Sequence, residues 1–409
     1  MPDTITIIYL VYMFIAMYFI TLFVLIFLQN RKEMFTVPKA KKNYSISVLV
    51  PAYNEQDSIK GTVEAILKSN YKNIAEIIVI NDGSKDDTLK IARELEKKYK
   101  KVKVLNKKNS GKADSLNQAI KISKGELIAV VDADSYPDPH ALSSMAGFFN
   151  DPKTGAVTTR ILVRKKNNML RKMQAIEYKI IAFTRKLLGF VDAIYVTPGP
   201  LALYRKSALE KIGGFDPKNM TEDIEATWHL LHDGYAVRMS FIAKSTSIAP
   251  KTIKAWMKQR IRWNIGGYQT ILKYRKSFFR EGMVGFFILP FFSLSLVLGT
   301  FGLVFLAYRV FLRIFSYYLT THYSLQAQTA ILTMNDVNLN PSMLNFLGVV
   351  LFLLGLLFAY FALTYVNRHL KERESFFSVL FYSLVYIVLR PIVLVVSLYK
   401  FIRGKYSWR

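Results

Sequence analysis

The stretch 126–131, Glu-Leu-Ile-Ala-Val-Val, runs directly into Asp132-Ala-Asp134. After its first residue it is a continuous apolar run, which is typical of a strand buried on both faces of a sheet. Similar runs occur before and after it, and stretches of helical pattern separate them. The other candidate strands are 46–50, 76–80, 102–105 and 156–159, and the candidate helices are 57–69, 85–99, 112–124 and 138–149. This alternation predicts an α/β fold with a parallel sheet and helices on both faces.

Polar motifs directly follow three of the candidate strands. They are Tyr53-Asn54-Glu55, Asn81-Asp82 and Asp132-Ala-Asp134. The carboxyl ends of parallel strands meet at one edge of a sheet, and such sheets bind their ligands beyond that edge. We therefore expect the three motifs to converge on one crevice.

Four long apolar segments predict an integral membrane protein. Residues 4–28, 283–308 and 343–366 carry no charge, and 376–399 is interrupted only by Arg390-Pro391. At about 1.5 Å per helical residue, each is long enough to cross a hydrocarbon layer of about 30 Å. Residues 1–30 are expected to form an N-terminal transmembrane helix.

Basic residues orient the first span, because positive charge collects in cytoplasmic loops. Five of them follow it, namely Arg31, Lys32, Lys39, Lys41 and Lys42. The N-terminus is then outside, and the middle domain lies on the cytoplasmic side of the cell (plasma) membrane. Span two leaves the cytoplasm and span three returns, because 319–342 has no Lys or Arg while Arg368, Lys371 and Arg373 follow span three.

The last apolar segment conflicts with the same rule. A fourth crossing would put the basic C-terminus outside, with its Lys400, Arg403, Lys405 and Arg409. We therefore favour a re-entrant or interfacial segment bent at Pro391 over a simple fourth crossing.

The formal charge of +27 raises the possibility of nucleic-acid binding. However, the basic residues flank apolar spans, and the chain has no nucleic-acid-binding motif. Anionic lipid head groups and a nucleotide diphosphate are better partners for this charge. The chain has no cysteine, which excludes disulfides and thiolate chemistry.

Two segments have the pattern of amphipathic helices that lie on a membrane surface. In 164–190 the apolar stripe is Met169, Met173, Ile176, Ile180, Phe183 and Leu187, and the basic residues expected on other faces are Arg171, Lys172, Lys179, Arg185 and Lys186. In 252–275 the stripe Ile261, Ile265, Tyr268 and Leu272 lies opposite Gln259, Arg262 and Trp263. One face of the second helix can meet lipid while the other meets a binding site.

Four motifs follow one another along the chain. They are Asn81-Asp82-Gly83, Asp132-Ala-Asp134, Thr221-Glu222-Asp223 and Gln259-Arg260-Ile261-Arg262-Trp263. Transfer of a sugar from a nucleotide diphosphate needs a group that recognises the base, carboxylates that hold a metal, a general base for the acceptor hydroxyl and cations for the leaving diphosphate. The four motifs supply a candidate for each requirement.

Together with Pro51-Ala-Tyr-Asn-Glu55 and Gly111-Lys112-Ala-Asp-Ser-Leu-Asn117, these motifs resemble the family 2 inverting glycosyltransferases over about 45–275. The last motif is similar to that of the processive polysaccharide synthases within the family. The resemblance implies a GT-A-type (Rossmann-like) cytosolic domain at 45–250 and an interface helix at 252–275. Transmembrane or interface helices at 283–409 complete a helical bundle in which the domain is embedded.

On the donor side, Asp132 and Asp134 are expected to hold Mg²⁺ or Mn²⁺ together with substrate phosphates; capping of a following helix is the alternative. The resemblance assigns Asp82, which otherwise only makes a turn, to the uracil. It also places Pro51, Tyr53, Glu55 and Asp132 around the nucleotide. Lys112 is expected to support the diphosphate; Gly111-Lys112 is not a Walker motif, because position 106 is Asn.

On the acceptor side, Asp223 is the expected general base, and Arg262 is expected to offset charge on the departing diphosphate. Trp263 can stack on an acceptor sugar. The other residues expected beside the acceptor or diphosphate are Gly199, Pro200, Glu222, Gln259 and Arg260. A helix-dipole role for Glu222-Asp223 and a lipid-anchor role for the aromatic-basic motif stay open.

The resemblance implies a processive enzyme that polymerises sugar from a UDP-sugar, with UDP-N-acetylglucosamine as the expected donor, and passes the polysaccharide across the membrane. Membrane lipid is an expected partner, nucleic acid is not, and the sequence specifies no accessory protein. One alternative is a non-processive glycosyltransferase that acts on a polyprenyl phosphate or another lipid. Another is a non-catalytic membrane protein that binds nucleotide-sugar.

Overall fold

The computed structural model describes residues 4–280, 282–326, 343–370 and 374–406. Within them, eight strands form one sheet in the order β3-β2-β1-β4-β7-β6-β8-β5. The strands are β1 (Ile46–Ala52), β2 (Ile74–Asp82), β3 (Val102–Lys107), β4 (Leu127–Val130), β5 (Ser135–Pro137), β6 (Thr154–Val163), β7 (Ala202–Arg205) and β8 (Ala236–Ser247). All five predicted strands are present, each within a few residues of its expected bounds.

The sheet is mixed, so the prediction of a wholly parallel sheet is wrong for β7 and β5: β6 and β8 are parallel to each other, and β5 is antiparallel to β8. Strands β3, β2, β1 and β4 are parallel, but β7 is antiparallel to both β4 and β6. Just beyond β4, the N–H of Asp132 donates to the carbonyl of Gly199 at 2.9 Å, which extends the pairing of β4 with β7 at this edge. The chain therefore enters β7 from the carboxyl edge of β4 and must run back alongside it.

Twelve α-helices lie in the described residues. They are α1 (Thr4–Asn30), α2 (Ile59–Leu67), α3 (Thr88–Lys98), α4 (Lys112–Ile122), α5 (Ser143–Ala146), α6 (Met169–Gly189), α7 (Lys206–Lys211), α8 (Glu222–His232), α9 (Ile253–Tyr274), α10 (Leu289–Gln326), α11 (Met343–Leu370) and α12 (Phe376–Ile402). The helix expected at 138–149 is wrong in its first half, since only α5 and a 3₁₀ turn at Gly147–Asn150 form. Pro137 and Pro139 favour extended backbone at the residues before them, which delays the helix.

Two apolar cores cover the faces of the sheet. One includes Ile59 and Val63 of α2. The other includes Leu116 of α4 and Phe183 of α6, and it continues without a break into Phe27 of α1 and Val366 of α11. The membrane helices and the α/β domain therefore share one core.

Helix α6 is enclosed rather than spread on a surface, which corrects the expectation for 164–190. It packs against β6 and β8 on one side and against α11 and α12 on the other. Four of its five basic residues are consequently buried, namely Arg171, Lys179, Arg185 and Lys186. Lys179, for example, donates to Asn367 and Glu374 at 2.8 Å each.

Four helices in the described part of the chain are long and apolar enough to cross a membrane, at Thr6–Asn30, Val284–Gln326, Gly348–Arg368 and Phe376–Ile402. The chain is thus a membrane protein. The second span ends later than expected at 308, because no glycine or proline interrupts 303–326, and 319–326 is helix rather than loop. The rest of that loop, 327–342, lies outside the described residues. Lys371, Arg373 and Arg409 also lie outside them.

Helix α12 continues through Pro391 without a break, so the expected re-entrant segment, which needs such a break, does not form. Membrane helices tolerate an internal proline when neighbouring helices pack around it. Both ends of α12 contact helices of the α/β domain: Glu374, just before it, pairs with Lys179 of α6 at 2.8 Å, and Ser397 accepts from Asn264 of α9 at 3.1 Å. A helix of 27 residues is about 40 Å long, so α12 extends along the domain instead of pointing away from it.

Candidate active site

One cavity of about 800 Å³ contains all the site residues that the sequence singled out. It begins at the carboxyl edge of β1, β2 and β4. Its lining includes Pro51, Tyr53, Glu55, Asp82, Lys112, Asp132, Asp134, Gly199, Pro200, Glu222, Asp223, Gln259, Arg260, Arg262 and Trp263. The cavity then continues to Phe292 and Leu296 of α10 and to Val393 and Leu394 of α12. The donor and acceptor candidates therefore share one space that reaches the membrane helices.

Asp82 is a buried carboxylate fixed by three donors at the end of β2. It accepts from Lys107 Nζ at 2.7 Å and from the N–H groups of Ser110 and Gly111 at 2.9 Å each. Burial alone would raise the pKa of Asp82, but these donors outweigh it and hold the pKa below its usual value. Asp82 thus stays ionised and well oriented at the cavity wall.

Asp132 and Asp134 follow β4 and lie close enough to repel each other. Burial, followed by the charges of Asp132 and Glu55, raises the pKa of Asp134 to about 7. No group of three or more His, Cys, Asp or Glu side chains in the described chain could hold a metal by itself. A hard divalent cation bound by two carboxylates and completed by phosphate oxygens still fits this pair, because it would relieve their repulsion.

Lys112 joins the two carboxylate motifs. Its Nζ lies 2.6 Å from Asp132 and 2.7 Å from Glu222. Burial would lower the pKa of Lys112, but the charges of Asp132, Glu222 and Asp223 raise it above its usual value. Gly199 lies against this pair: a Cβ there would come within 2.4 Å of Asp132 Oδ2 and 2.6 Å of Lys112 Nζ. Only glycine leaves room for this contact.

Glu222 and Asp223 open helix α8. Burial, and next the charge of Glu222, raises the pKa of Asp223 to about 6, although Lys112 and Arg262 oppose the shift. A carboxylate with this pKa is mostly ionised at neutral pH and still accepts a proton readily. Both features suit a general base.

Helix α9 is bound tightly to α8. Gly266 packs so closely on Thr221 that a Cβ would come within 2.7 Å of the threonine Cβ. Gln269 accepts from the N–H of Met220 at 2.8 Å, and Lys273 pairs with Glu225 at 2.6 Å. The aromatic-basic motif is therefore held at a fixed position relative to Asp223.

Within that motif, Arg260 supports the site rather than facing it freely. Its guanidinium pairs with buried Glu177 of α6 and lies 4.5 Å from the ring centroid of Trp263 and 5.1 Å from that of Trp256. Gln259 also contacts Arg260. Arg260 thus fixes the ring of Trp263 at the cavity wall.

Sequence reasoning missed Glu177 and its partners on α12. Glu177 also accepts from the hydroxyl of Tyr386 at 2.9 Å and from Arg390 at 3.4 Å. The signal was present, because Glu177 is the only acidic residue in 164–190 and Arg390 is the only charged residue in 376–399. Ionisable residues isolated in this way usually have a partner inside the protein.

Residues 47–213 match the model of Glycosyl transferase family 2. This part of the chain is a family 2 glycosyltransferase domain. Its strand ends carry Asp82, Asp132 and Asp134, while Asp223 and the α9 motif lie beyond the matched residues. Residues of α8 and α9 line the same cavity as these strand ends. The family 2 domain and the helices after it therefore form the cavity together.

Curated relatives cover part of the chain. It is 35% identical over 230 residues to a poly-beta-1,6-N-acetyl-D-glucosamine synthase from Staphylococcus aureus strain MSSA476, covering 56% of each chain. It is 36% identical over 248 residues to the enzyme of the same name from Staphylococcus epidermidis, covering 60% of each. The chain thus spans somewhat more than half the length of the curated relatives it matches.

Among solved structures, a mannosyltransferase from Pyrobaculum calidifontis in complex with GDP-Man and Mn²⁺ has a similar fold, with a TM-score of 0.53. The match covers 66% of this chain and 75% of that chain at 21% sequence identity. It confirms the predicted GT-A-type fold.

Proposed function

We propose that this chain is a membrane-embedded, inverting, processive glycosyltransferase that polymerises N-acetylglucosamine from UDP-N-acetylglucosamine. The observation that supports it is the continuity of the cavity, in which the donor-side carboxylates, Asp223 and Trp263 share one space that reaches α10 and α12. The identity of 35% to poly-beta-1,6-N-acetyl-D-glucosamine synthase supports the choice of sugar. The catalytic domain is then cytoplasmic, and the polymer leaves between the membrane helices.

In this proposal Asp82 binds the uracil, with Pro51, Tyr53 and Glu55 around the nucleoside. Asp132 and Asp134 hold Mg²⁺ or Mn²⁺ with the donor phosphates, and this ion, when bound, offsets negative charge on the leaving UDP. Lys112 and Arg262 contribute further positive charge on that side of the site.

Asp223 takes the proton of the acceptor hydroxyl as its oxygen attacks the anomeric carbon of the donor. The new C–O bond forms on the face opposite UDP while the bond to the phosphate oxygen breaks, so the configuration inverts. Trp263, fixed by Arg260, presents its ring to the terminal sugar of the acceptor. Gly199 and Pro200, with Glu222 and Gln259, border this sugar.

The test is a screen of UDP-sugars with the purified protein in detergent, measuring UDP release and product length. We expect UDP-N-acetylglucosamine to give polymer, EDTA to stop the reaction, and Mn²⁺ or Mg²⁺ to restore it. Asp134→Ala should not be rescued by metal, whereas the surface variant Glu210→Gln, 55% exposed in its side chain, should behave as wild type.

Trp263→Ala separates polymerisation from single transfer. It should shorten or stop the polymer while UDP-sugar binding persists, because a stacking surface contributes roughly 1 kcal/mol to holding the acceptor. If this variant made polymer of normal length, the aromatic-basic motif of α9 would serve only as a membrane anchor. A single sugar added to a polyprenyl phosphate by the wild type would instead identify a lipid glycosyltransferase.

A further inference from the structure

Arg185 is a buried cation on the wall of the cavity that the mechanism above leaves without a role. Glu177, Ile181 and Arg185 all line the cavity from α6, and their spacing of four residues puts them on one helix face. Arg185 is only 6% exposed. Since the rise is about 1.5 Å per residue, it lies about 12 Å along the wall from Glu177.

Within the described part of the chain, the Nε of Arg185 has no hydrogen-bond partner, and no carboxylate there lies within ion-pair distance of its guanidinium. Arg171 of the same helix is equally buried but donates to the carbonyl of Ala249 at 2.9 Å and to Asn167 at 2.8 Å. Burial lowers the pKa of Arg185, and Tyr195 and Asp223 only partly offset this. A buried unpaired charge destabilises the protein, so its presence points to a ligand.

The surroundings of Arg185 favour a sugar. This end of the cavity has an apolar and aromatic lining, in which the rings of Tyr195 and Phe292 lie 4.5 Å apart and Ile181 and Ile224 stand nearby. Aromatic and aliphatic groups of this kind suit the apolar face of a pyranose.

The electrostatics favour a neutral ligand over an anionic one. Asp223, whose own neighbour is Glu222, is one of the negative charges that act on Arg185. A phosphate bound to Arg185 would be repelled by these carboxylates. A hydroxyl or an amide carbonyl oxygen accepts from a guanidinium and adds no charge.

We infer that Arg185 is an acceptor-binding residue, whose guanidinium donates to a hydroxyl or N-acyl carbonyl oxygen of the acceptor sugar beside Asp223. This inference rests on the proposed function. It adds to it a specific contact from α6 that orients the acceptor, in addition to the ring of Trp263 on α9. It also explains why the protein keeps an unpaired cation in the cavity wall.

The experiment compares Arg185→Met with Arg171→Met, which removes from the same helix a buried arginine that is hydrogen-bonded to Ala249 and Asn167. Without ligand, Arg185→Met should unfold in detergent at the same temperature as wild type or a higher one, whereas Arg171→Met should unfold at a lower one. A β-1,6-linked N-acetylglucosamine tetramer should raise the unfolding temperature of wild type and of Arg171→Met but not of Arg185→Met. The thermal comparison needs no turnover, so its result does not depend on whether the proposed reaction takes place.

Kinetics supply the second readout. Transfer from UDP-N-acetylglucosamine to the tetramer should fall roughly tenfold to hundredfold in Arg185→Met, through the KM for the tetramer, while hydrolysis of the donor by water stays within about twofold. Arg185→Lys, which retains the charge, should recover part of the transfer.

Three results would overturn the inference. One is destabilisation of Arg185→Met equal to that of Arg171→Met, which would give Arg185 a structural role. The second is an equal fall in hydrolysis and transfer, which would make it a donor residue. The third is a loss confined to a polyprenyl phosphate acceptor, which would replace the sugar by a phosphate. Lack of turnover by the wild type would refute the proposed function, and the thermal comparison would still decide the role of Arg185.

Discussion

The donor side and the acceptor side of the cavity are built by different means. On the donor side, Asp82 and Asp132 project from strand ends and are held by neighbours from the same sheet edge, such as Lys107 and Lys112. On the acceptor side, the walls are helices, and the contacts that hold them join residues far apart in the chain. Glu177, for instance, meets Arg260 83 residues later and Arg390 213 residues later.

This difference separates two tasks. In the proposed reaction, the strand ends fixed by the sheet would hold the nucleotide. The helices, joined by ion pairs between residues distant in the chain, would hold an acceptor that grows with each cycle. Variants on the two sides should therefore fail in different steps.

The largest effect is expected for Asp223→Asn, which removes the proposed general base on the acceptor side. Transfer should fall by roughly 10²-fold to 10⁴-fold, because proton transfer in the transition state contributes about that much. UDP binding, measured by calorimetry, should stay near the wild-type value, as should transfer by Glu210→Gln. A comparable loss of UDP affinity in Asp223→Asn would place this residue on the donor side.

Gly199→Ala should instead lower the rate by disturbing residues on the donor side of the cavity. The added Cβ would press on the carboxylate of Asp132 and on Lys112, and a displacement of about 1 Å at a reacting site costs on the order of 10²-fold in rate. Because Asp132 moves, the concentration of Mn²⁺ needed for half-maximal activity should rise. Gly355→Ala, at a position with open space around it, is the control; unchanged metal dependence in Gly199→Ala would contradict the assignment of Asp132.

A smaller effect on the transfer rate is expected when the pH is lowered. Because the pKa of Asp223 is raised to about 6, the fraction of ionised base falls as the pH drops through this value. The transfer rate should then decrease about tenfold per pH unit below it, while UDP binding, which we propose involves Asp82, should persist because the pKa of Asp82 is lowered. A flat rate profile from pH 7 to pH 5 would exclude Asp223 as the base.

Glu177→Gln tests the helix contacts and should act mainly on stability. It leaves Arg260 buried without its charge partner, and breaking a buried pair in this way costs roughly 3 kcal/mol. The unfolding temperature in detergent should fall, and the polymers should become shorter because Trp263 loses its support. Lys42→Gln, which breaks an exposed pair with Glu126, should leave both nearly unchanged.

A reporter fused after residue 406 shows on which side of the membrane the C-terminal end of α12 lies. We expect it in the cytoplasm, because both ends of α12 contact the helices of the domain. The basic residues Lys400, Arg403 and Lys405 then follow the positive-inside rule. An external reporter would mean that α6 and α9 themselves enter the membrane deeply.

The donor side could be predicted from the sequence because its rules are local. A buried strand is visible as an apolar run, and the residues at its end lie at the carboxyl edge of the sheet, so the sequence predicts that Asp82 and Asp132 face one crevice. The partners of Glu177 could not be predicted, since a charge pair across 213 residues depends on how α6, α9 and α12 pack. The antiparallel β7 could not be predicted either, since it pairs with β4 and β6, whose residues are distant from it in the chain.

The core shared by α1, α6 and α11 limits how this protein can be divided. Phe27 of α1 packs against Phe183 of α6 at 5.8 Å and against Tyr365 of α11 at 4.9 Å between ring centroids. A domain cut at its sequence boundaries would expose these rings to water and would tend to aggregate. The glycosyltransferase domain and its membrane helices should therefore unfold in one cooperative transition, and detergents that loosen α1 or α11 should inactivate the enzyme before they dissolve the bundle.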